Sequence, residues 1–331
     1  MRRSLAALTL LALLSACGGD AGPGAAGDRL QIAVIPKGTT HDFWRSIHAG
    51  ALQAEQELNA EGTPVEVIWQ GPLREDDREQ QVQVVEGFIA QGVDGIVLAP
   101  LDDRALVRPV EEARRAGVPT VIIDSGLQSD QIVSFVATDN YLGGQLAADR
   151  MAELLDGEGR IIVLRYAEGS ESTRQREEGF LERLRSNYPG IQVVSSDQYA
   201  GATRETAKTA SENLLNRFSS IDGVYTPNES STSGMLLALQ DLGLADKVSF
   251  VGFDASQALV AALRAGDIDG LVVQNPMRMG YLGVRTMVDH LQGKSVEARI
   301  DTGVKMITPE NLDDPESQEL VDPPIEQYLT Q

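Results

Sequence analysis

Polar side chains lie at or just after the ends of apolar strand patterns at five places in the sequence, and their types suit the binding of hydroxyl groups. The carboxyl ends of strands in an α/β sheet are where ligand crevices form. Asp side chains accept hydrogen bonds, whereas Asn and Gln both donate and accept them, so together they match a hydroxyl-rich molecule. The five strand-end residues are Lys37, Asp124, Asn228, Asp254 and Gln274.

An aromatic pair follows the first of these strands. The loop after the strand carries Lys, Gly, Thr, Thr and His before Phe43 and Trp44 open a helical pattern. An aromatic face can pack against the C–H face of a pyranose or furanose ring, which makes a sugar the natural ligand of this crevice. Simpler roles stay open: one of the aromatic pair as core packing, Asp254 as a helix N-cap, Asn228 as a turn residue and Gln274 as part of a hinge loop.

Strand and helix patterns alternate along almost the whole chain. Ten apolar strand patterns lie between Leu30 and Gln274, with helical patterns between most of them. This alternation predicts parallel sheets with helices on both faces, and so many strands favour two sheets over one. The halves are also alike, since Val-Asp-Gly-Ile-Val at 93–97 corresponds to Ile-Asp-Gly-Val-Tyr at 221–225. We expect two α/β lobes with a crevice between them, and an irregular surface tail after Thr308.

Composition and charge exclude several classes of function. The 331 residues carry a formal net charge of -21, which would repel a phosphate backbone, so nucleic acid is not an expected partner. Of the three histidines, His41, His48 and His290, only His41 lies in a crevice loop, and the sequence has no Walker-type phosphate loop. Asp124 and Asp254 could form an acid–base pair, but beside an aromatic wall they fit binding equally well. We therefore expect no enzyme activity, catalytic residue, metal or cofactor.

The N-terminus is typical of a secreted lipoprotein. Two arginines precede a short apolar stretch, and Leu-Ser-Ala-Cys at 14–17 resembles the bacterial lipobox, whose cysteine receives a lipid. Cys17 is the only cysteine, so it has no partner within the chain. The alternative is an ordinary signal peptide with an incidental cysteine. We expect a signal peptide over residues 1–17, a flexible tether over 18–29, and a place in the periplasm or at the cell surface, anchored to the membrane through Cys17.

Three short motifs carry a resemblance to a known family. Val-Ala-Thr-Asp-Asn-Tyr-Leu-Gly-Gly at 136–144, Arg-Gln-Arg-Glu-Glu-Gly-Phe at 174–180 and Val-Gly-Phe-Asp at 251–254 occur in the family's order and at matching separations. With them the chain resembles, over nearly its whole mature length, the type I periplasmic binding proteins of ABC transporters, particularly the ribose-binding branch. The resemblance implies a monomer of two Rossmann-like, doubly wound lobes that captures a sugar or polyol and delivers it to a membrane permease.

The same resemblance implies a set of ligand-binding residues. They are Phe43 and Trp44 as stacking aromatics and, as hydroxyl partners, Asp124, Arg174, Asn228, Asp254 and Gln274. His41 falls where the ribose branch often has Asn, and Lys37 adds a positive charge to the first loop, so both belong to the predicted set. A frequent Arg of the family is here Ser125, and a frequent aromatic is here Ala202. These departures argue for a sugar or polyol other than D-ribose, with or without an acidic group.

Lobe boundaries also follow from the resemblance. The N-terminal lobe would comprise residues 30–138 and 275–303, and the C-terminal lobe residues 139–274 and 304–331, so that the chain crosses between lobes three times. Closure of such lobes around a ligand is a standard hinge motion. The implied hinge residues are Thr138, Asp139, Gln274, Asn275 and Gly303.

Two other functions occur on this type of fold. LacI-type repressors carry a DNA-binding N-terminus, whereas this chain has a lipobox there and an acidic composition. A binding protein that reports a sugar, or a furanosyl signal such as autoinducer-2, to a sensor kinase or chemoreceptor would have the same sequence features. That alternative stays open at the level of the sequence.

Overall fold

Two six-stranded sheets with helices on their faces form the part of the chain that the structure describes. The structure is a computed structural model that describes residues 29–218 and 220–330. The predicted signal peptide with Cys17, and the tether up to residue 28, lie outside the described residues. Within those two ranges, no helix has the length and apolar character needed to cross a membrane.

The elements alternate as the sequence patterns predict. In chain order they are β1 (Leu30–Ile35), α1 (Asp42–Ala60), β2 (Val65–Trp69), α2 (Arg78–Gln91), β3 (Gly95–Leu98), α3 (Val107–Arg115), β4 (Thr120–Ile123), β5 (Ser134–Ala137), α4 (Asn140–Leu154), β6 (Gly159–Arg165), α5 (Glu171–Asn187), β7 (Ile191–Tyr199), α6 (Arg204–Arg217), β8 (Gly223–Tyr225), α7 (Glu229–Asp241), β9 (Ser249–Phe253), α8 (Gln257–Ala265), β10 (Gly270–Gln274), α9 (Pro276–Leu291), β11 (Arg299–Asp301), β12 (Val304–Ile307), α10 (Pro315–Val321) and α11 (Glu326–Leu329).

The first lobe is built on a sheet of parallel strands in the order β11-β5-β4-β3-β1-β2. All residues of β3 and β4 are buried, as expected of strands that helices cover on both faces. Apolar side chains of α1 and α9 pack on one face of the sheet, and those of α2 and α3 pack on the other.

The second lobe repeats this plan, with strand order β12-β10-β9-β8-β6-β7. Only β12 runs antiparallel, beside β10 at the edge. One face of this sheet packs against α4 and α5, while α6, α7 and α8 cover the other. The predicted α/β architecture of two doubly wound lobes is therefore confirmed.

The chain passes between the two sheets three times in its central part. It leaves the first sheet after β5 through Thr138 and Asp139, returns after β10 through Asn275, and leaves again between β11 and β12. The first and third connections touch, because the Thr138 hydroxyl donates to the carbonyl of Gly303 at 3.2 Å. Gly303 has a φ of 85°, a conformation that glycine adopts without strain.

The C-terminal tail differs from the irregular surface segment that its prolines suggested. Pro315 begins α10 instead of interrupting a helix, because a proline at the first helical position loses no hydrogen bond. Leu320 and Val321 pack against the core of the second lobe. The chain then returns to the first lobe, where Arg45 of α1 meets Glu326 of α11 with a distance of 2.6 Å between Nη2 and Oε1. The last helix therefore lies against the first lobe, although the sequence analysis assigned the whole tail to the second.

Candidate ligand-binding site

A small cavity lies between the lobes at the carboxyl ends of the strands of both sheets. Its free volume is about 30 Å3, enough for about one or two waters. A sugar ring therefore requires the lobes to part and the lining side chains to adjust. The cavity is lined by Lys37, His41, Phe43, Trp44, Glu75, Asp124, Tyr166, Ser172, Thr173, Arg176, Asn228, Glu229, Asp254 and Gln274.

Two aspartates occupy corresponding positions in the two lobes. Asp124 follows β4 and Asp254 follows β9, and both have left-handed backbones, with φ of 62° and 70°. Asp and Asn tolerate this region better than other side chains, because their short polar groups can bond locally. Each backbone N–H still donates to the neighbouring strand, so the turn away from the sheet begins at the aspartate itself. The two carboxylates thereby face the cavity from opposite lobes.

Lys37 does not present a free positive charge to the cavity. Its ammonium lies 2.8 Å from Oδ2 of Asp124, and both side chains are buried. The same ammonium donates to the Ser172 hydroxyl of the second lobe at 3.3 Å. The positive charge that the first loop adds is therefore compensated within the protein.

Glu75 is the centre of a second buried ion pair. Its Oε1 lies 2.6 Å from His41 Nδ1 and accepts a hydrogen bond from Trp44 Nε1, also at 2.6 Å. Its Oε2 accepts from the Tyr166 hydroxyl, which comes from the other lobe. The Glu75 carboxylate therefore has donors on both oxygens and joins the two lobes.

Pairing shifts the pKa values of His41 and Glu75 in opposite directions. Burial alone would lower the pKa of His41, but the hydrogen bond and charge of Glu75 outweigh it and raise that pKa to about 9. Burial alone would raise the pKa of Glu75, but His41, Tyr166 and Trp44 together lower it to about 2. Both groups are consequently charged at neutral pH.

The predicted aromatic pair forms part of both the cavity wall and the core. Phe43 and Trp44 meet edge to face, with ring centroids 5.0 Å apart and an angle of 89° between the planes. Both also pack into the apolar core of the first lobe. The sequence left open whether these rings line the cavity or pack in the core. Each ring does both.

The second lobe contributes a linked set of acid and amide groups. Asp254 accepts hydrogen bonds from Gln274 Nε2 at 2.6 Å and from the Glu229 backbone N–H at 2.9 Å. Burial raises the pKa of Asp254 to about 6, and the Arg176 charge and the Gln274 hydrogen bond only partly oppose this. Glu229 accepts from the Phe43 backbone N–H across the cleft at 3.0 Å and from Arg204 at 2.8 Å.

Arg174 lies outside the cavity, and Arg176 occupies the place predicted for it. The Arg174 side chain is 46% exposed and pairs with Glu178 one turn along α5, whereas the Arg176 side chain is only 2% exposed. Residues two apart on a helix point about 200° apart, so only one of the two can face the cleft. Gly144 also lets α5 approach α4, because a Cβ there would lie 2.0 Å from the Arg176 carbonyl.

The Arg176 guanidinium is held on three sides and open on one. Its Nε donates to Asn140 Oδ1 at 2.8 Å, its Nη1 donates to the Pro227 carbonyl at 3.0 Å, and its carbon lies 4.0 Å from the centre of the Phe253 ring. Its Nη2 is buried and has no hydrogen-bond partner among the residues that the structure describes. The same is true of Gln274 Oε1. One free donor and one free acceptor thus belong to residues that line the cavity.

Asn228 combines a structural position with a place in the cavity wall. It is the N-cap of α7, where its Oδ1 accepts from the Ser231 backbone N–H at 3.3 Å. Its Nδ2 donates to the Ser230 hydroxyl at 3.1 Å. The turn role that the sequence left open is therefore present. Asp254, by contrast, does not cap α8, since Ser256 holds that position.

Several cavity residues were missed by the sequence analysis. Glu75 lies in the charged segment Arg-Glu-Asp-Asp at 74–77, which has the composition of a solvated loop. Tyr166 comes directly after β6, so the strand-end rule used elsewhere would have found it. Glu229 begins α7 next to Asn228 and carried no separate signal. The other missed residues are Ser172, Thr173 and Arg176.

Positive and negative charges balance in this arrangement. Lys37, protonated His41 and Arg176 face the cavity, and Arg204 pairs with Glu229 at its edge. Against them stand the carboxylates of Glu75, Asp124, Glu229 and Asp254. Groups of His, Cys, Asp and Glu that could hold a metal ion are absent from residues 29–218 and 220–330. The chemistry offered is hydrogen bonding to uncharged polar groups beside aromatic rings.

Comparisons with known proteins agree with this geometry. The family model described as a periplasmic binding protein domain matches residues 32–295. The ribose import binding protein of Bacillus subtilis (strain 168) is 30% identical over 91% of this chain and 97% of its own length.

Solved structures point the same way. A carbohydrate transporter solute binding protein from Agrobacterium radiobacter, in complex with D-arabinose, is 35% identical with a TM-score of 0.85, covering 89% of this chain and 100% of that one. An ABC transporter solute binding protein from Agrobacterium vitis with bound D-fucose is also 35% identical, with a TM-score of 0.84, covering 88% and 99%. From its two-lobed fold, its interlobe cavity and these matches, the chain belongs to the periplasmic binding protein family.

Proposed function

We propose that this protein is the sugar-binding component of an ABC importer, and that it captures a neutral sugar or polyol in the cavity between its lobes. The observation that carries the proposal is the charge-compensated cavity whose lining includes a free donor on Arg176 and a free acceptor on Gln274. A relative named for ribose import and two related structures that hold D-arabinose and D-fucose support the same ligand class.

A neutral ligand fits better than an acidic one. An acidic sugar would need an uncompensated cation, and Lys37 and His41 are the residues that suggested one. Lys37 is paired with Asp124, and His41 is paired with Glu75. Among the lining groups that the structure describes, a carboxylate added to this cavity would find only the free Nη2 of Arg176, whose charge Asp254 already opposes, and it would give the buried site a net negative charge, which is costly.

Lobe closure supplies the transport signal in this proposal. Several hydrogen bonds join the lobes directly: Tyr166 to Glu75, the Phe43 backbone to Glu229, and the Asp103 backbone N–H to the Gly169 carbonyl at 2.9 Å. Such bonds form only when the lobes are together, so a ligand that bridges the lobes shifts the population toward the closed form. We propose that the crossings at Thr138 and Asp139, Asn275 and Gly303 bend during this motion and that a permease recognises the closed shape.

The protein acts outside the cytoplasm, as its family does. We further propose that Cys17 carries the lipid that holds it at the membrane, that the mature protein is a monomer, and that it has no catalytic activity of its own. The basis for the anchor is the lipobox sequence at 14–17 together with the absence of a second cysteine from the sequence.

A binding panel tests the proposed function. The full chain, purified in detergent, is heated with each of a set of pentoses, hexoses, polyols and uronic acids. A ligand at 100 times its Kd stabilises the folded state by about 2.7 kcal/mol, which gives a clear shift in Tm. At least one neutral sugar or polyol is expected to give this shift, and uronic acids are expected to give none. A panel without any shift would contradict the proposal.

A further inference from the structure

Tyr166 stands between the cavity described above and a much larger space. On its far side lies a space of about 530 Å3 between the lobes that is open to solvent, here called the outer chamber. Its lining combines the charged segment 74–79 and Glu168 with Leu101, Gly201, Ala202 and Thr206. Glu75 and Tyr166 are the two residues that line both spaces. The wall between cavity and outer chamber thus consists of one hydrogen-bonded pair of side chains from opposite lobes.

The two members of this wall are fixed differently. Glu75 is held within the first lobe through His41 and Trp44. The Tyr166 backbone is held within the second lobe, because its N–H donates to Glu177 at 3.1 Å and its carbonyl accepts from the Gly201 N–H at 3.0 Å. The Tyr166 ring reaches across from that backbone to Glu75. Loss of the ring would therefore open the wall while the backbone bonds stay in place.

The outer chamber has the size of a ligand site. Small-molecule pockets in proteins are typically about 300 to 1,000 Å3, and the outer chamber lies within that range. Gly201 and Ala202 extend no side chain beyond Cβ into the outer chamber, so neither of them fills the space beside the Tyr166 ring. A second sugar unit would have room there if the ring did not close the passage.

We propose that the ring of Tyr166 sets the upper limit of ligand size, so that the site accepts a single sugar unit and rejects a disaccharide. This inference rests on the proposed function, because it takes the cavity between the lobes as the sugar site. It assigns to Tyr166 the role of a specificity-determining residue.

The test compares single sugars with disaccharides in Tyr166 variants. Isothermal titration calorimetry of the full chain in detergent uses D-ribose, D-arabinose and D-fucose, and then maltose, cellobiose, lactose and xylobiose. We expect the wild-type protein to bind at least one of the three single sugars and none of the four disaccharides. Tyr166→Ala should bind at least one disaccharide with an affinity at least tenfold above that of the wild type.

Two further variants keep the test informative. Tyr166→Phe retains the ring and loses only the hydroxyl, so it should still reject every disaccharide. Tyr166→Leu retains a buried apolar side chain but not the reach of the ring, and it should admit a disaccharide even if Tyr166→Ala fails to fold. If Tyr166 had only a structural role, these variants would bind single sugars more weakly and would gain no affinity for any disaccharide.

The outcomes separate this inference from the proposed function. Folded Tyr166→Ala and Tyr166→Leu proteins that bind a single sugar but no disaccharide would overturn the size limit and leave the proposed function intact. A wild-type protein that binds a disaccharide as tightly as a single sugar would also overturn it. If the wild type binds neither these single sugars nor any member of the wider panel, the proposed function fails and the size limit falls with it.

Discussion

Replacement of Arg176 tests the site most directly, because the neighbouring Arg174 provides a matched control on the same helix. Arg176 is buried, and its Nη2 is free for a ligand hydroxyl. A hydrogen bond between a charged and a neutral group contributes about 1.5 to 3 kcal/mol. Arg176→Gln removes the charge and the free Nη2, so we expect Kd for the best panel sugar to rise by about 10- to 150-fold.

The control replaces an arginine of the same helix that faces solvent. Arg174 pairs with Glu178 on the exposed side of α5, and exposed pairs contribute about 1 kcal/mol or less to stability. Arg174→Gln should therefore leave Kd within about twofold of the wild type, because a surface ion pair outside the cavity makes no contact with the ligand. Both variants are measured by isothermal titration calorimetry with the same sugar.

The Tm of each variant must be measured in parallel, because Arg176 also makes hydrogen bonds that stabilise the second lobe. It donates to Asn140 and to the Pro227 carbonyl, so its loss is expected to lower Tm as well as affinity. Arg176→Lys separates the effects, since it keeps the charge but cannot reproduce the planar fork of donors. The reasoning is refuted if folded Arg176→Gln keeps wild-type affinity, or if Arg174→Gln loses as much as Arg176→Gln.

Three further outcomes can be measured. The pKa of His41 in the folded protein, about 9, exceeds its ordinary value of 6.5, so its pair with Glu75 should stabilise the protein fully below pH 6.5. This contribution, at most about 3 kcal/mol, should disappear as the pH rises through 9. Urea unfolding should show this fall in stability for the wild type and not for His41→Gln. Asp254 has a pKa of about 6, and we expect a ligand hydroxyl to need its carboxylate form. Calorimetry should therefore show sugar affinity falling about tenfold from pH 7 to pH 5, whereas unchanged affinity would exclude this contact. Cys17→Ser should abolish labelling by a fatty-acid analogue and move the protein from the membrane to the soluble fraction; label that persists would place the lipid elsewhere.

The sequence predicted the positions of site residues where strand ends determine them. Asp124, Asp254 and Gln274 follow buried strands, and the carboxyl ends of parallel strands in both lobes necessarily face the cleft. The same regularity makes the alternation of strands and helices readable over most of the chain. The edge strands β11 and β12 escaped prediction because Arg299, Asp301 and Lys305 interrupt the apolar run that marks a buried strand.

Residues on helices and loops could not be placed in this way. Which of Arg174 and Arg176 faces the cleft depends on the rotation of α5, and a motif with an arginine at both positions does not fix that rotation. Glu75 lies in a loop whose charged composition is typical of solvent-exposed segments, and its burial follows from partners 34 and 91 residues away. The contact with His41 exists only once the first lobe has folded, and the contact with Tyr166 exists only after the two lobes have come together.

The two residues that depart most from the ribose pattern, Lys37 and His41, show why charge at a binding site has to be read in pairs. Each of them alone suggests an acidic ligand. In the fold each has a carboxylate within 2.8 Å, Asp124 for Lys37 and Glu75 for His41. A buried ion pair contributes little net stability, because desolvation offsets most of the attraction, but a single unpaired member would be strongly unfavourable. Replacing one member of a pair would leave the other buried and unpaired, so the positive charges of Lys37 and His41 are already used within the protein and do not by themselves require an acidic ligand.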